Sequence, residues 1–139
     1  MEKYPQKSDI QNRRYTLKKE ERLCSKKGID KLFSEGGSFL SFPLKIIYLH
    51  TELPVKNKVQ IGFSVSKKNF KRAVHRNLLK RRMREAYRLN KHLLVENGTE
   101  KQMAIFVIFI GKEILNYKTI EQSMTKALIK CSKISLAGK

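Results

Sequence analysis

Between Ser66 and His92 the chain carries eleven Lys or Arg and one acid, Glu85. Eleven minus one gives +10 in 27 residues, more than half of the formal +19 carried by all 139. A segment so charged has to lie on a surface, with its apolar residues gathered on one side. Leu79, Met83, Ala86 and Tyr87 fall at 0, +4, +7 and +8, which is one stripe of an α-helix. The spacing predicts a helix over about 71–94, stopped by Asn97-Gly98. Arg76, Lys80 and Arg84, four apart, form a cationic ridge on another face, flanked by Asn77, Arg81 and Arg88. Like charges at i, i+4 cost a few tenths of a kcal/mol per pair in an isolated helix. The chain accepts that cost at Arg76–Lys80, Lys80–Arg84 and Arg84–Arg88, which makes sense if something anionic neutralises the face. A basic face that is merely solvated usually mixes signs; here one Glu and an Asn stand among the arginines.

The nature of the anion follows from the side chains. Arginine's planar fork makes two hydrogen bonds to one phosphate, and Asn offers a donor and an acceptor to a 2′-hydroxyl or a base edge. Self-repulsion at +19 also favours a polyanionic partner. An anionic membrane is the rival, but no run approaches the ~18 apolar residues of a span. The longest, Met103 to Ile110, is strand-sized. Residues 1 to about 22 are polar and basic without periodicity and lack the apolar core of a secretory signal. They read as a mobile N-terminal arm preceding one domain over 23–135, with the cytoplasm as the expected location. Cys24 and Cys131 stand far apart and read as reduced thiols, and His50, His75 and His92 are scattered. No zinc site and no protein-bound cofactor is expected.

Around the basic helix the chain alternates short signals. Ser25 can cap a helix whose Ile29, Leu32 and Phe33 share a face, with Gly36-Gly37 as its stop, giving a helix near 25–35. Strands are predicted at 44–49 and 59–65, with a further short one at 38–42 broken by Pro43. Met103 to Ile110 reads as a strand buried on both faces. Ile120, Met124, Ala127 and Leu128 predict a last helix over 119–130. The order is helix, two or three strands, helix, strand, helix: an α+β sandwich with helices packed on a small mixed sheet.

The stretch Ser64-Val65-Ser66-Lys67-Lys68, then Ala73-Val74-His75-Arg76-Asn77, Lys80-Arg81 and Arg84, resembles the signature of the bacterial ribonuclease P protein family. That signature is a strand ending S-V-S-K-K, a short loop, and A-V-x-R-N-R-x-K-R-x-x-R on a helix. Two departures stand out. Leu78 occupies the place of the second Arg of R-N-R, and the loop Asn69-Phe70-Lys71-Arg72 is one residue longer than the commoner form. Arg22-Leu23 and Ile29 through Phe33, followed by Gly36, are similar to the family's first helix, with Ile29 at its first aromatic position. Residues 1–21 lie outside the likeness.

The resemblance implies an αβββαβα fold with a left-handed β-α-β crossover at the basic helix. It implies a protein subunit of a ribonucleoprotein endonuclease that removes the 5′ leader of precursor tRNA. Catalysis would belong to the RNA subunit and its Mg²⁺, with no catalytic residue in this chain. Carried over residue by residue, Lys67, Lys68, Arg72, Arg76, Asn77, Lys80, Arg81 and Arg84 would contact the catalytic RNA. Ile29, Phe33 and Tyr48 would line a cleft for the single-stranded leader, where bases stack on aromatics; plain core packing is the other reading of Phe33 and Tyr48. The partners implied are ribonuclease P RNA and precursor tRNA, with a monomer in a one-RNA, one-protein complex. The residues agree with a non-catalytic chain: acids are sparse and scattered, with neither a carboxylate cluster for two metals nor a His pair. Two other readings share the size and charge. One is a structural ribosomal protein. The other is a DNA-binding protein with its helix in a major groove, which would usually dimerise, and no spare apolar face offers a seam.

Overall fold

The computed structural model describes residues 21–23, 25–51, 59–95 and 102–136. Its elements run α1 (Lys26–Glu35), β1 (Gly37–Ser41), β2 (Leu44–His50), β3 (Val59–Val65), α2 (Ala73–Asn90), the one-turn α3 (His92–Val95), β4 (Met103–Phe109) and α4 (Tyr117–Leu136). Apart from α3 this is the αβββαβα order. Ser25 caps α1, its Oγ accepting the Gly28 N–H at 3.3 Å. The helix ends at Gly36, where a Cβ would meet the Tyr48 carbonyl oxygen at 2.6 Å. Only glycine lets the chain turn into β1 that close to β2.

Two helices differ in length from their sequence expectation. Helix α2 starts two residues late because Arg72 is extended, at φ −86° and ψ 129°, as a cap residue is. It ends at Asn90, before a turn at Lys91; the expected stop at Asn97-Gly98 lies outside the described residues. Helix α4 starts before 119 because Asn116 acts as a cap, its Oδ1 accepting the Thr119 N–H at 2.9 Å, and it runs past 130 to Leu136.

The four strands form one mixed sheet in the order β1-β2-β4-β3. The β1/β2 and β2/β4 pairs are antiparallel, while β3 and β4 are parallel neighbours. The route from β3 through α2 to β4 is therefore a β-α-β crossover. Because β4 is central, its side chains are covered on both faces over most of its length.

Alternation along the strands sorts the core into two layers. Leu44 and Ile46 of β2, Val59, Ile61 and Val65 of β3, and Met103, Ile105, Val107 and Phe109 of β4 meet the apolar stripes of α2 and α4. All four predicted stripe residues, Leu79, Met83, Ala86 and Tyr87, are buried there. On the other side Ile47 and Ala104 join Leu23 and Leu32, so α1 covers part of the second face.

The segment before α1 is tied to the sheet. Arg22 bridges in parallel to Ile61 on the outer edge of β3, and the Leu23 N–H donates to the Ile61 carbonyl at 2.9 Å. One residue earlier, Glu21 forms a buried 2.7 Å ion pair with Lys91, just past α2. Residues 1–20 of the expected arm, and Cys24, lie outside the described residues; the arm's last two residues belong to the folded body.

Candidate nucleic-acid interface

Strand β3 delivers the chain into a tight turn at Ser66–Asn69. The Ser66 Oγ accepts the Lys68 N–H at 3.1 Å and the Asn69 N–H at 3.4 Å, and Lys67 and Lys68 project into solvent. Asn69 anchors the turn from below, its Nδ2 donating to the carbonyls of Ile110 and Gly111 at 3.5 and 3.4 Å. Phe70 then dives into the core against Phe109, with ring centroids 5.8 Å apart.

Along α2 the cations divide by task. Arg84, Arg81, Asn77 and Arg72 are exposed, and Lys80 is half-buried beside them. Arg76 is half-buried, and its Nη1 donates to the carbonyls of Phe70 at 2.8 Å and Lys71 at 2.9 Å. The first residue of the ridge thus closes the enlarged loop, keeping its Nε and Nη2 donors free among the described residues. Leu78, in place of a second arginine, is half-buried. Arg88 is neutralised by Glu85 at 2.5 Å, and Lys91 by Glu21. Arg82 points the other way and donates to the Leu115 carbonyl. Among the described residues, Lys67, Lys68, Arg72, Lys80, Arg81 and Arg84 have no carboxylate partner. They make a field of unpaired positive charge running from the turn down one face of the helix.

A residue that charge counting along the helix did not assign joins this field. The β3-edge bridge sets Arg22 beside α2, where Arg22, Gly62, Phe63, Lys80 and Arg84 line a groove of about 200 Å³. Nothing local in the sequence links Arg22 to Lys80 and Arg84; the pairing of Arg22 with Ile61 does.

The second candidate surface is the sheet face under α1. Phe33 is 50% exposed and meets Phe106 edge to face, with centroids 5.3 Å apart. The Phe106 ring lies across Gly62, where a Cβ would come within 2.7 Å of it. Ile29 packs at the margin of the same cluster. Beyond α1 the cross-strand row Leu40–Lys45–Ile108–Ser64 stays exposed or half-exposed. Ile29 and Phe33 therefore share a cleft with Phe106.

Tyr48 does not join them. It alternates with Ile47 and so projects to the α2/α4 side, where its ring is 6.0 Å from Phe39. The residue of β2 that faces α1 is Ile47. Cleft membership expected of Tyr48 is corrected accordingly, and Phe106 supplies the aromatic on the sheet.

Among the described residues no three His, Cys, Asp or Glu side chains come together as metal ligands, and no helix is long and apolar enough to cross a membrane.

A family model described as ribonuclease P matches residues 17–132. The ribonuclease P protein component of Porphyromonas gingivalis is 41% identical over 119 residues, covering 84% of this chain and 86% of that protein. That of Borreliella burgdorferi is 34% identical over 113 residues, covering 80% and 89%. Among solved structures, the ribonuclease P protein of Thermotoga maritima superposes with a TM-score of 0.64 at 25% identity, over 79% of this chain and 96% of that one. The Staphylococcus aureus protein shares the fold, with a TM-score of 0.65 at 22% identity, over 82% and 96%. With its matched span reaching from before α1 almost to the end of α4, the chain belongs to the ribonuclease P protein family.

Proposed function

We propose that this chain is the protein subunit of a ribonuclease P, binding the catalytic RNA with one surface and the 5′ leader of precursor tRNA with another. The observation that carries the reading is the unpaired cationic field of Lys67, Lys68, Arg72, Lys80, Arg81 and Arg84, with Asn77 among them. Its spacing suits a folded RNA whose phosphates pass the turn and then follow the helix. Arg76 acts partly through the loop it closes, and Arg22 extends the field over the edge of β3.

The leader surface is the cleft of Ile29, Phe33 and Phe106. A half-exposed aromatic set on edge against another offers a face to an unpaired base. Lys45, in the adjoining exposed row, can meet a leader phosphate. In this reading the protein positions RNA and breaks no bond. Mg²⁺ is held by the RNA subunit, where it supplies the charge stabilisation that phosphodiester hydrolysis requires.

Reconstitution tests the proposal. The full-length chain, the same organism's ribonuclease P RNA and a precursor tRNA are mixed at low Mg²⁺, and cleavage at the mature 5′ end is followed. The protein should accelerate it. If about six phosphates are neutralised, log K for the RNA falls against log salt with a slope of roughly −4 to −5. A slope near −1 would eliminate the cationic field as the docking surface. A basic ribosomal protein would bind RNA with a similar slope and leave cleavage unchanged.

A further inference from the structure

A second groove lies at the end of the sheet, beside the Lys67–Lys68 turn, and shares no lining residue with the cleft of Ile29, Phe33 and Phe106. It has a volume of about 310 Å³ and is lined by Phe42, Ile110, Gly111, Lys112, Glu113 and Leu115. Its wall is Phe42, 69% exposed. Single exposed apolar residues are ordinary on a protein surface, but the backbone beneath this one is pinned at three points. The Phe42 carbonyl accepts from Ser123 Oγ at 2.8 Å, the Ser123 carbonyl accepts from Ser41 Oγ at 2.9 Å, and the Pro43 carbonyl accepts from the Ile110 N–H at 2.8 Å. The backbone that carries the ring is thus fixed beside a preformed apolar floor, so that binding has only the side chain left to order.

Charge chooses the occupant. The floor residues Ile110 and Gly111 are the two whose carbonyls hold Asn69, so the Lys67–Lys68 turn abuts the groove. Lys112 stands on its rim. A second copy of a +19 chain would be repelled from such a place, whereas RNA would be drawn to it. Glu113, also on the rim, would repel a phosphate on its own side and can accept from base N–H groups.

We infer that this groove binds one unpaired nucleotide of the RNA docked on the Lys67–Lys68 turn, its base stacked on Phe42 and its phosphate beside Lys112. The inference rests on the RNA-binding reading above and adds a base-reading site to a surface otherwise built for phosphates.

The chain has no tryptophan, so F42W installs a single fluorescent reporter in the full-length protein. Titrated with the same organism's ribonuclease P RNA, its emission should be quenched saturably, with the midpoint found by an independent binding assay. F42A should bind that RNA roughly 5- to 150-fold more weakly, the loss expected for one stacked base. Its salt slope should match the wild type, because no phosphate contact is lost. K112A should reduce the slope by just under one. Circular dichroism checks that each variant is folded, and F42W carries the test if F42A is not. Full affinity in F42A with unchanged F42W emission would overturn the groove and leave the RNA-binding reading standing. Emission that changes with protein concentration in the absence of RNA would assign the groove to a second copy, overturning the inference. Failure of the wild type to bind the RNA would remove both.

Discussion

Arg76 and Arg84 sit two helical turns apart on the same ridge and act through different partners. Arg84 touches no acceptor among the described residues, so R84A should leave stability within about 0.5 kcal/mol. It should weaken RNA binding and lower the salt slope by just under one. Arg76 holds the Phe70 and Lys71 carbonyls, so R76A should cost roughly 1–3 kcal/mol of stability as well as RNA affinity. Urea unfolding and RNA titration on both variants separate the two roles; equal stability in R76A would show that the loop closes without it. Gly62 offers a third contrast. A Cβ there would press on the Phe106 ring, so G62A should destabilise by about 1–3 kcal/mol and disturb the Phe33–Phe106 pair, weakening leader binding more than binding of the catalytic RNA. A variant that lost both affinities equally would count against a separate leader cleft.

At the scale of elements, the Glu21–Lys91 pair fastens the strand-like Glu21–Leu23 segment to the end of α2. Replacing Glu21 by Gln removes the carboxylate charge from its pair with Lys91, a residue only 7% exposed. The expected cost is about 3 kcal/mol, measurable by denaturant unfolding. Loss of only a few tenths would mean that the pair is dispensable. Elements whose signal is local are legible in the amino-acid sequence. The α2 stripe declares itself by period, α1 by its cap and glycine stop, and β3 by alternation. The face of β2 is not legible in the same way. In Leu44-Lys-Ile-Ile-Tyr-Leu-His50 both alternate sets are largely apolar, because one meets α2 and α4 while the other meets α1. Periodicity then cannot say which set looks into the cleft, and Tyr48 took the place that belongs to Ile47 and Phe106. Arg22 escaped for a different reason: its neighbours Lys80 and Arg84 lie about sixty residues downstream, and only strand pairing brings them together.

For the molecule as a whole, charge and burial set how stability responds to solution conditions. With +19 to contain, folding should be favoured as added salt shortens the screening length from ~30 Å at 0.01 M to ~10 Å at 0.1 M. Thermal melts across that range should shift upward, and a downward shift would mean that attractive pairs dominate. Burial, then the charge of Glu21, pushes the Tyr87 hydroxyl well above its ordinary 10.0. Burial likewise pushes Tyr117 up to about 12, with Glu121 adding to it, and the Cys131 thiol up to about 12. The folded chain keeps these protons where the unfolded chain has released them. Their contribution is intact below the unfolded values of 9.0 and 10.0, and is lost as pH climbs through the folded ones. Lysine deprotonation relieves repulsion over the same range, so Y87F is the informative variant: it should lose stability less steeply above pH 10 than the wild type.

The position of β4 has a consequence for how this chain comes into being. Of the described strands, β4 is the last to leave the ribosome although it lies between β2 and β3, and until Met103–Phe109 emerges those two have no common neighbour to pair with. The apolar side of α2 is synthesised before the surface that covers it is complete, while its cationic side is available at once. A nascent chain halted before Met103 would therefore present its cationic half ahead of any finished core, and a polyanion reaching it then would meet a helix still waiting for its sheet.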